Sequence, residues 1–434
     1  MDKMADVLGR AGAWCGQNKY LSAIKNAFQN FMPLTIAGAI GVLWCNVLVN
    51  DQTGLGLFFK PIMALDFLNP AFQAVNFCTI SCITVGITLG IAQEIGVWNM
   101  GAERAGYIPG LVGLAAWLSV TNTSHMVEGA KEAFTGIAGN ELGATGLFTG
   151  MIIGVLSVEL FCFFEKQDAL KIKMPEQVPP GVARAFEVLV PATITLIITA
   201  CIGSACYNLT GLYLNDVIKN GIQGPLGAVG ATIPGVMIIY LVIMLFWLVG
   251  IHGNNMLSAV KEALFTPLAL ENVEKFNKGE KPTNIINMYF LQMCGEFGGS
   301  GVTIGLVIAI MIFGKREDNK AIASLSLVPG LFNINETVTF GIPMVLNPIL
   351  GIPFVVAPLV TIIIGYVLTV IGFCPVACLT VPWTTPPIVF GFLATGANVM
   401  GAVTQAILIV VSTVIYVPFL IAYEKYQNKQ AAEA

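Results

Sequence analysis

The longest uncharged segment of the chain spans residues 337–423 and contains no Asp, Glu, Lys, Arg or His in 87 consecutive positions. A helix crosses the hydrocarbon core of a bilayer with about 20 apolar residues, so this segment is long enough for several crossings. Five further segments lack Asp, Glu, Lys and Arg: residues 26–50, 67–93, 105–127, 188–215 and 220–260. Only 11% of all residues are charged, whereas soluble domains average about 25%. This pattern predicts a polytopic membrane protein and excludes a soluble enzyme.

The apolar segments differ in whether glycine and proline interrupt them. Eight have the length of regular membrane spans: residues 30–49, 74–93, 106–120, 143–164, 186–207, 230–250, 352–373 and 399–421. Three contain clustered Gly or Pro: residues 286–313, 337–351 and 375–398. Irregular backbone at membrane depth survives only when it is buried in protein or lines a wet cavity, and paired broken segments indicate a substrate site. We therefore predict an all-α membrane protein with about 8–10 transmembrane helices plus re-entrant hairpins.

The regular and interrupted segments divide the chain into three predicted parts. Residues 1–28 place apolar side chains at near-helical spacing between basic ones, which is typical of an amphipathic helix lying on the membrane face. Residues 29–210 hold regular spans and form a predicted N-terminal transmembrane domain. Residues 211–434 hold the interrupted segments and form a predicted substrate-binding transport domain. Basic clusters near both ends favour cytoplasmic termini, because basic residues concentrate on that side of the membrane.

The remaining composition narrows the classes of partner. A net charge of −4 is too small to indicate a nucleic-acid partner. The ten cysteines lie mostly in apolar segments without zinc-like spacing, which favours buried apolar thiols. No Walker-type Gly-Lys-Ser/Thr occurs, which excludes ATP binding in that mode. We predict neither a metal nor a cofactor.

One histidine stands alone in the uncharged segment 220–260. His252 is followed by Gly253, Asn254 and Asn255, which free the local backbone and supply amide donors and acceptors. Histidine is suited to proton transfer or to a donor role near neutral pH. His252 is therefore a candidate catalytic residue and Asn254 a candidate substrate contact. The alternative is a structural histidine whose hydrogen bonds are satisfied.

Glu336 is the last charged residue before the 87-residue uncharged segment. A carboxylate at membrane depth is costly unless it is partnered, so such a residue is a functional candidate by default. We predict that Glu336 acts as a general base and that the neighbouring Asn335 binds substrate. The alternative is a carboxylate that caps a helix or pairs two helices.

Tryptophan rings and glycine-rich turns supply the remaining candidates for substrate binding. Trp247 and Trp383 can stack on the apolar faces of sugar rings, although tryptophans also form belts at membrane interfaces. Gln93 and Gly96 close a predicted span. Gly299 lies in a glycine-rich loop whose backbone amides can approach a ligand, and such a loop is a weak signal on its own.

Together, several motifs resemble the membrane-spanning IIC subunit of the bacterial phosphoenolpyruvate-dependent sugar phosphotransferase system, in its lactose/cellobiose/diacetylchitobiose family. The resemblance covers essentially the whole chain and rests on residues 20–28, 31–38, 174–180, 250–253, 298–301, 333–336, 346–348, 382–387 and 391–396. The Ile-His-Gly segment at His252 and the Asn-Glu segment at Glu336 are the most specific of these. The family usually has Pro directly after this glutamate, where the present chain has Thr337.

The resemblance implies a homodimeric sugar permease in a bacterial inner (cytoplasmic) membrane, importing a β-linked disaccharide of the cellobiose, diacetylchitobiose or lactose type. It also implies phosphorylation of the sugar 6-hydroxyl by the phosphocysteine of a separate IIB protein, which IIA, HPr and enzyme I supply. By the same resemblance, His252, Asn335 and Glu336 surround the reacting hydroxyl, and Trp247 and Trp383 pack on the sugar rings. Glu336 is expected to be the base, and His252 to orient the hydroxyl or to stabilise the phosphoryl group.

Two other functions compete with this interpretation. A proton-coupled secondary sugar transporter would use Glu336 and His252 to carry the coupling proton, without phosphorylation. A purely structural membrane scaffold has no use for a histidine and a glutamate isolated in uncharged segments. The two transport hypotheses differ in one requirement, because only the phosphotransferase needs IIB. The identity of the disaccharide stays open, since these sugars differ by only one or two substituents.

Overall fold

The computed structural model describes residues 10, 12–14, 17–51, 55–125, 134–175 and 177–433. Helices dominate this part of the chain. Its only strands are the short antiparallel pair Ser124–His125 (β1) and Phe134–Thr135 (β2), in which Ser124 faces Thr135. The prediction of an all-α membrane fold is confirmed.

The helices of the described chain, in order, share no regular spacing or length. Up to Gly230 they are α1 (Lys19–Leu43), α2 (Asn69–Asn76), α3 (Ile83–Met100), α4 (Ala102–Ala105), α5 (Ile108–Val120), α6 (Gly139–Leu142), α7 (Ala144–Glu165), α8 (Pro180–Thr210), α9 (Leu214–Ile218) and α10 (Gly224–Gly230). They continue with α11 (Ile233–Leu248), α12 (Gly253–Met256), α13 (Ser258–Asn277), α14 (Met288–Gly295), α15 (Ile304–Phe313), α16 (Glu317–Leu331), α17 (Glu336–Gly341), α18 (Gly351–Val370), α19 (Val389–Ala394) and α20 (Val399–Glu433). Short 3₁₀ or π segments occur at Trp44–Leu48, Leu55–Leu57, Lys60–Leu68, Phe77–Ser81, Asp168–Leu170, Lys219–Gln223 and Ser300–Val302.

Five helical stretches of the described chain are long and apolar enough to cross a bilayer: Lys19–Leu48, Ala144–Glu165, Pro180–Thr210, Gly351–Val370 and Val399–Glu433. Three bent pairs reach this length and hydropathy together: Lys60–Ser81 with Ile83–Met100, Leu214–Gly230 with Ile233–Leu248, and Met288–Val302 with Ile304–Phe313. Their bends are 42°, 76° and 59°, and counting each pair as one span gives up to eight crossings. The predicted interruptions are present, because residues 342–350 and 371–388 contain no helix.

The chain separates into two compact units. The N-terminal unit comprises Gln17–Gly38 and Val75–Gly227, and the C-terminal unit comprises Met1–Gly16, Ala39–Ala74 and Ala228–Ala434. The C-terminal unit thus takes in residues 39–74, which the sequence pattern assigned to the N-terminal domain. Helix α1 continues through residue 28 without a break, and residues 1–9 of the predicted interfacial helix lie outside the described residues. The predicted domain boundaries at residues 28 and 210 stay a prediction.

Small residues bring the helices of the N-terminal unit close together. A Cβ atom added at Gly113 of α5 would lie 2.3 Å from the Cβ atom of Ala92 in α3. One added at Gly150 of α7 would lie 2.2 Å from the hydroxyl oxygen of Thr88. Packing through small residues is the usual way in which membrane helices associate, because lipid tails provide no hydrophobic drive between them.

Buried polar side chains hold the irregular backbone of the C-terminal unit. The side-chain oxygen of Asn287 caps α14 by accepting hydrogen bonds from the backbone N–H groups of Tyr289 (2.9 Å) and Phe290 (3.2 Å). The buried Tyr416 hydroxyl donates to the carbonyl oxygen of Gly301 at 2.8 Å. Such bonds satisfy backbone groups that regular helix would otherwise pair, which non-helical backbone at membrane depth requires.

Candidate functional site

His252 stands directly before the short helix α12 and is fixed from two sides. Its Nδ1 atom accepts a hydrogen bond from the backbone N–H of Asn255 at 3.3 Å. Its ring packs against the indole of Trp247, with ring centroids 4.4 Å apart. Because Nδ1 is an acceptor here, the neutral imidazole has its proton on Nε2. The hydrogen-bond network thus assigns the tautomer that presents an N–H donor on the free edge of the ring.

Glu336 is the first residue of α17, and its carboxylate faces this donor. The Oε1 atom of Glu336 lies 3.8 Å from Nε2 of His252, and the side chains remain 47% and 36% exposed, respectively. The structure therefore brings together the two candidate catalytic residues, although 84 positions separate them in the chain. Their partial exposure leaves both accessible to a ligand.

The segment before Glu336 is docked on the glycine-rich loop, residues 295–301. Asn335 is 3% exposed, and its side-chain amide donates to the carbonyl oxygen of Ser300 at 2.7 Å. Gly299 has φ +89°, and a Cβ atom there would lie 2.6 Å from the Cβ atom of Asn335. Only glycine allows this approach, because a side chain would require both the left-handed backbone and the occupied space. Asn335 and Gly299 are thus in contact, as the sequence prediction of a common site requires.

Ser300 also connects this loop to the segment after His252. The Asn254 amide donates to the Ser300 hydroxyl oxygen at 3.1 Å. The Oδ1 atom of Asn254 is buried and has no hydrogen-bond partner among the described residues. A buried acceptor without a partner costs free energy, so Asn254 is a good candidate to accept a hydrogen bond from a bound hydroxyl.

The two candidate tryptophans have different environments. Trp247 is only 2% exposed and packs between His252 and Phe354, the latter with ring centroids 6.3 Å apart. In this conformation Trp247 supports the histidine and offers no open ring face. Trp383 is 43% exposed, which leaves its indole available for stacking on a sugar ring.

Gln93 and Gly96 belong to the N-terminal unit and pack helices there. The Gln93 amide donates to the carbonyl oxygen of Gly106, and its oxygen accepts from the backbone N–H of Gly110 at 3.2 Å. A Cβ atom at Gly96 would lie 2.2 Å from the Cβ atom of Pro109. These contacts explain both residues as helix-packing positions, and their assignment as substrate contacts stays a prediction.

A buried ion pair that sequence reasoning missed lies in the same C-terminal unit. The Lys261 ammonium contacts the Oε1 atom of Glu296, and the Tyr240 hydroxyl donates to the same oxygen at 2.8 Å. The side chains of Lys261 and Glu296 are 7% and 17% exposed. A signal existed, because Lys261 ends the uncharged segment that contains His252 and Glu296 lies in the glycine-rich loop. Their pairing across 35 positions had no sequence signature.

The arrangement is suited to chemistry on a hydroxyl group. A carboxylate acceptor and an imidazole N–H donor face one another at the surface of a cluster that buried amides hold in place. Such a pair can accept the proton of a bound hydroxyl and orient its oxygen. Among the described residues, no group of three or more His, Cys, Asp or Glu side chains is arranged to hold a metal ion.

Comparison with known proteins agrees with this geometry. Residues 25–358 match the family described as "Phosphotransferase system, EIIC". The chain is 33% identical to the "PTS system oligo-beta-mannoside-specific EIIC component" of Bacillus subtilis, covering 98% of this chain and 94% of that protein. It is 30% identical to the "PTS system cellobiose-specific EIIC component" of Lactococcus lactis subsp. lactis, covering 98% of both. The crystal structure of the transporter ChbC, the IIC component from the N,N'-diacetylchitobiose-specific phosphotransferase system, matches with a TM-score of 0.88 and 29% identity over 97% of both chains.

Proposed function

Because this chain belongs to the EIIC family of the phosphotransferase system, the sugar permeases of that system, we propose that it imports a β-linked disaccharide and presents the 6-hydroxyl for phosphorylation. The phosphoryl donor is the phosphocysteine of a separate EIIB protein, which IIA, HPr and enzyme I recharge. The proposal includes a homodimer in a bacterial inner membrane with both termini in the cytoplasm. Its sugar class follows the relatives, whose names specify oligo-β-mannosides, cellobiose and diacetylchitobiose.

The observation that carries the proposal is the placement of His252 opposite Glu336. In phosphoryl transfer the sugar oxygen forms a bond to phosphorus while the bond between phosphorus and the cysteine sulfur of EIIB breaks. The hydroxyl proton passes to the Glu336 carboxylate, and the sulfur leaves as a thiolate. The enzyme's task in such a reaction is mainly positioning and charge stabilisation, which the Nε2–H group of His252 provides at the sugar oxygen or at the transferring phosphoryl group.

The remaining candidates divide between binding and support. Asn254 has a buried free acceptor for a sugar hydroxyl, and Trp383 has an open ring for stacking. Asn335 and Gly299 hold the segment that leads to Glu336. Trp247 holds the imidazole of His252 from behind. This division gives each predicted residue of the C-terminal unit a physical task.

Reconstitution in proteoliposomes tests the proposal. The purified protein is supplied with radiolabelled cellobiose, diacetylchitobiose or lactose outside and with phosphorylated EIIB inside. We expect sugar phosphate to accumulate inside only when EIIB is phosphorylated. A matched sample with unphosphorylated EIIB and an imposed pH gradient is the control. Accumulation of unmodified sugar in that control would overturn the proposal in favour of proton-coupled transport.

A further inference from the structure

Asn333 has an unusual backbone conformation three residues before Glu336. Its φ angle is +63°, in the left-handed region that asparagine and glycine adopt more readily than other residues. The residue follows the end of α16 and precedes α17. Its backbone N–H donates to the carbonyl oxygen of Gly330 at 3.1 Å. The turn directs the side chain away from its own helix and toward two other loops.

The Asn333 amide uses its acceptor on one loop and both donors on another. Its Oδ1 atom accepts from the backbone N–H of Gly298 at 2.6 Å. Its Nδ2 atom donates to the carbonyl oxygens of Trp383 and Thr385, the latter at 3.1 Å. One side chain therefore joins the glycine-rich loop to the loop of residues 382–388, which we call the tryptophan loop.

The far end of the tryptophan loop is fixed by a second amide. The Oδ-type acceptor there is Oε1 of Gln405, which is 1% exposed and accepts from the backbone N–H groups of Ile388 and Gly391, both at 2.7 Å. Ile388 itself has φ +75°. Asn333 and Gln405 thus hold the loop at its two ends, and Asn333 holds the end that contains the exposed indole.

Only an amide meets the requirements at position 333. The side chain has to accept from one N–H and donate to two carbonyl oxygens, which a carboxylate cannot do because it has no donors. Glycine adopts the same backbone conformation without strain but forms none of the three bonds. Alanine lacks the bonds and also adds the strain of a left-handed residue.

We propose that Asn333 is a positioning residue, which sets the affinity for the sugar by holding the Trp383 indole in register with the Glu336 segment. The inference deepens the proposed function and rests on it for the identity of the ligand. Asn333 does not touch the reacting atoms. Its effect is therefore expected on sugar binding, and the phosphoryl-transfer step at saturating sugar is expected to remain.

The decisive variant is Asn333→Gly, which removes the hydrogen bonds and keeps the backbone conformation. We expect the Kd for cellobiose, or for the best-bound disaccharide, to rise by up to about tenfold, the effect of losing net hydrogen-bond energy of ordinary size. The kcat for EIIB-dependent phosphorylation is expected to stay within about threefold. Asn333→Asp keeps the acceptor for Gly298 and loses both donors to the tryptophan loop, so its Kd should rise as well. Asn208→Ala, which truncates an exposed asparagine near the end of α8, is the matched control.

A double-variant cycle with Trp383→Ala separates positioning from general damage. If Asn333 acts through the indole, Asn333→Gly weakens binding much less in the Trp383→Ala background than in the wild type. Full multiplication of the two losses would overturn the proposal. So would a wild-type Kd in Asn333→Gly.

A measurement without sugar keeps this inference separate from the proposed function. Hydrogen–deuterium exchange of residues 379–389 in the sugar-free protein should be faster in Asn333→Gly than in the wild type and in Asn208→Ala. Unchanged exchange would show that the amide does not hold the loop. If instead the wild type bound and phosphorylated no disaccharide while exchange responded as expected, the proposed function would fail and the role of Asn333 in holding the loop would stand.

Discussion

The Nε2 atom of His252 and the Oε1 atom of Glu336 lie 3.8 Å apart, slightly beyond the length of a direct hydrogen bond. A hydroxyl oxygen placed about 2.8 Å from each atom forms a triangle with them and hydrogen-bonds to both. One group donates to that oxygen and the other accepts its proton. The separation thus suits the binding of one shared hydroxyl.

The first prediction concerns the base. Glu336→Gln keeps the shape of the side chain and removes its ability to take a proton. We expect EIIB-dependent phosphorylation to fall by about 100-fold or more, the usual range for loss of a general base, while the disaccharide Kd changes by only a few-fold. Glu433→Gln, at the exposed end of α20, controls for the change of charge. Normal phosphorylation by Glu336→Gln would remove the base assignment.

The second prediction separates the two nitrogens of His252. His252→Asn retains an acceptor where Nδ1 receives the Asn255 N–H and loses the group that faces Glu336. His252→Gln places an amide donor near the position of Nε2. We expect His252→Gln to retain more phosphorylation activity than His252→Asn, with similar thermal stability for both. The reverse order of activities, measured as kcat with phosphorylated EIIB, would indicate that the cap matters more than the donor.

The third prediction contrasts the two tryptophans. Trp383→Ala removes an exposed ring and is expected to weaken disaccharide binding by about tenfold with little change in Tm. Trp383→Phe keeps an aromatic face and should restore part of the affinity. Trp247→Ala removes a buried ring and is expected to lower the free energy of unfolding by about 3–5 kcal/mol. Binding titrations and denaturant unfolding of the detergent-solubilised protein distinguish the two outcomes.

The fourth prediction concerns the buried pair of Lys261 and Glu296. Lys261→Met leaves a buried carboxylate without its counter-charge, which we expect to cost about 3–5 kcal/mol of stability. Adding Glu296→Gln removes that charge, so the double variant should regain most of the loss. The Tyr240 hydroxyl still has an amide oxygen to bond in the double variant. Equal stability of the single and double variants would mean that the pair is not electrostatically coupled.

The fifth prediction is a pH dependence in the N-terminal unit. Burial raises the pKa of Glu141 above its ordinary value; Asn215 and His125 oppose this effect, and Asp216 adds to it. A raised folded-state pKa means that the folded protein binds this proton more tightly than the unfolded chain. The stabilisation is therefore present at low pH and is lost as pH rises through the folded-state pKa.

Glu141→Gln mimics the protonated carboxyl and tests this dependence. We expect the variant to raise Tm by a few degrees near pH 8 and to change it little near pH 4, so that its Tm depends less on pH than that of the wild type. Glu103→Gln, an exposed acid in the same unit, is the control. A Tm difference independent of pH would contradict the assignment.

The sequence predicted the fold class because uncharged length has one dominant physical cause. A stretch such as residues 337–423 is stable only in lipid or in a large apolar core, and clustered glycine and proline mark where its helices break. The breaks at residues 342–350 and 371–388 follow from that composition. The transfer of residues 39–74 to the C-terminal unit had no such signal, because grouping depends on contacts between distant segments.

Within the candidate site, residue identity was more predictable than orientation. His252 and Glu336 stand out because each is isolated in uncharged sequence, and the structure brings them together. The burial of Trp247 was not predictable, since an aromatic residue at a helix end reads the same whether its ring faces protein or ligand. The bonds of Asn333 to residues 35 and 50 positions away depend on a left-handed turn that only the folded backbone reveals.

Gln405 has a mechanical consequence for the transport cycle. Its Nε2 atom donates to the carbonyl oxygen of Met293 at 3.1 Å, while its oxygen holds the backbone at Ile388 and Gly391. One side chain of the last helix is thus bolted to the segment before the glycine-rich loop and to the tryptophan loop at once. These parts have to travel as a single block, so the joints that let a sugar pass from one side to the other must lie outside it.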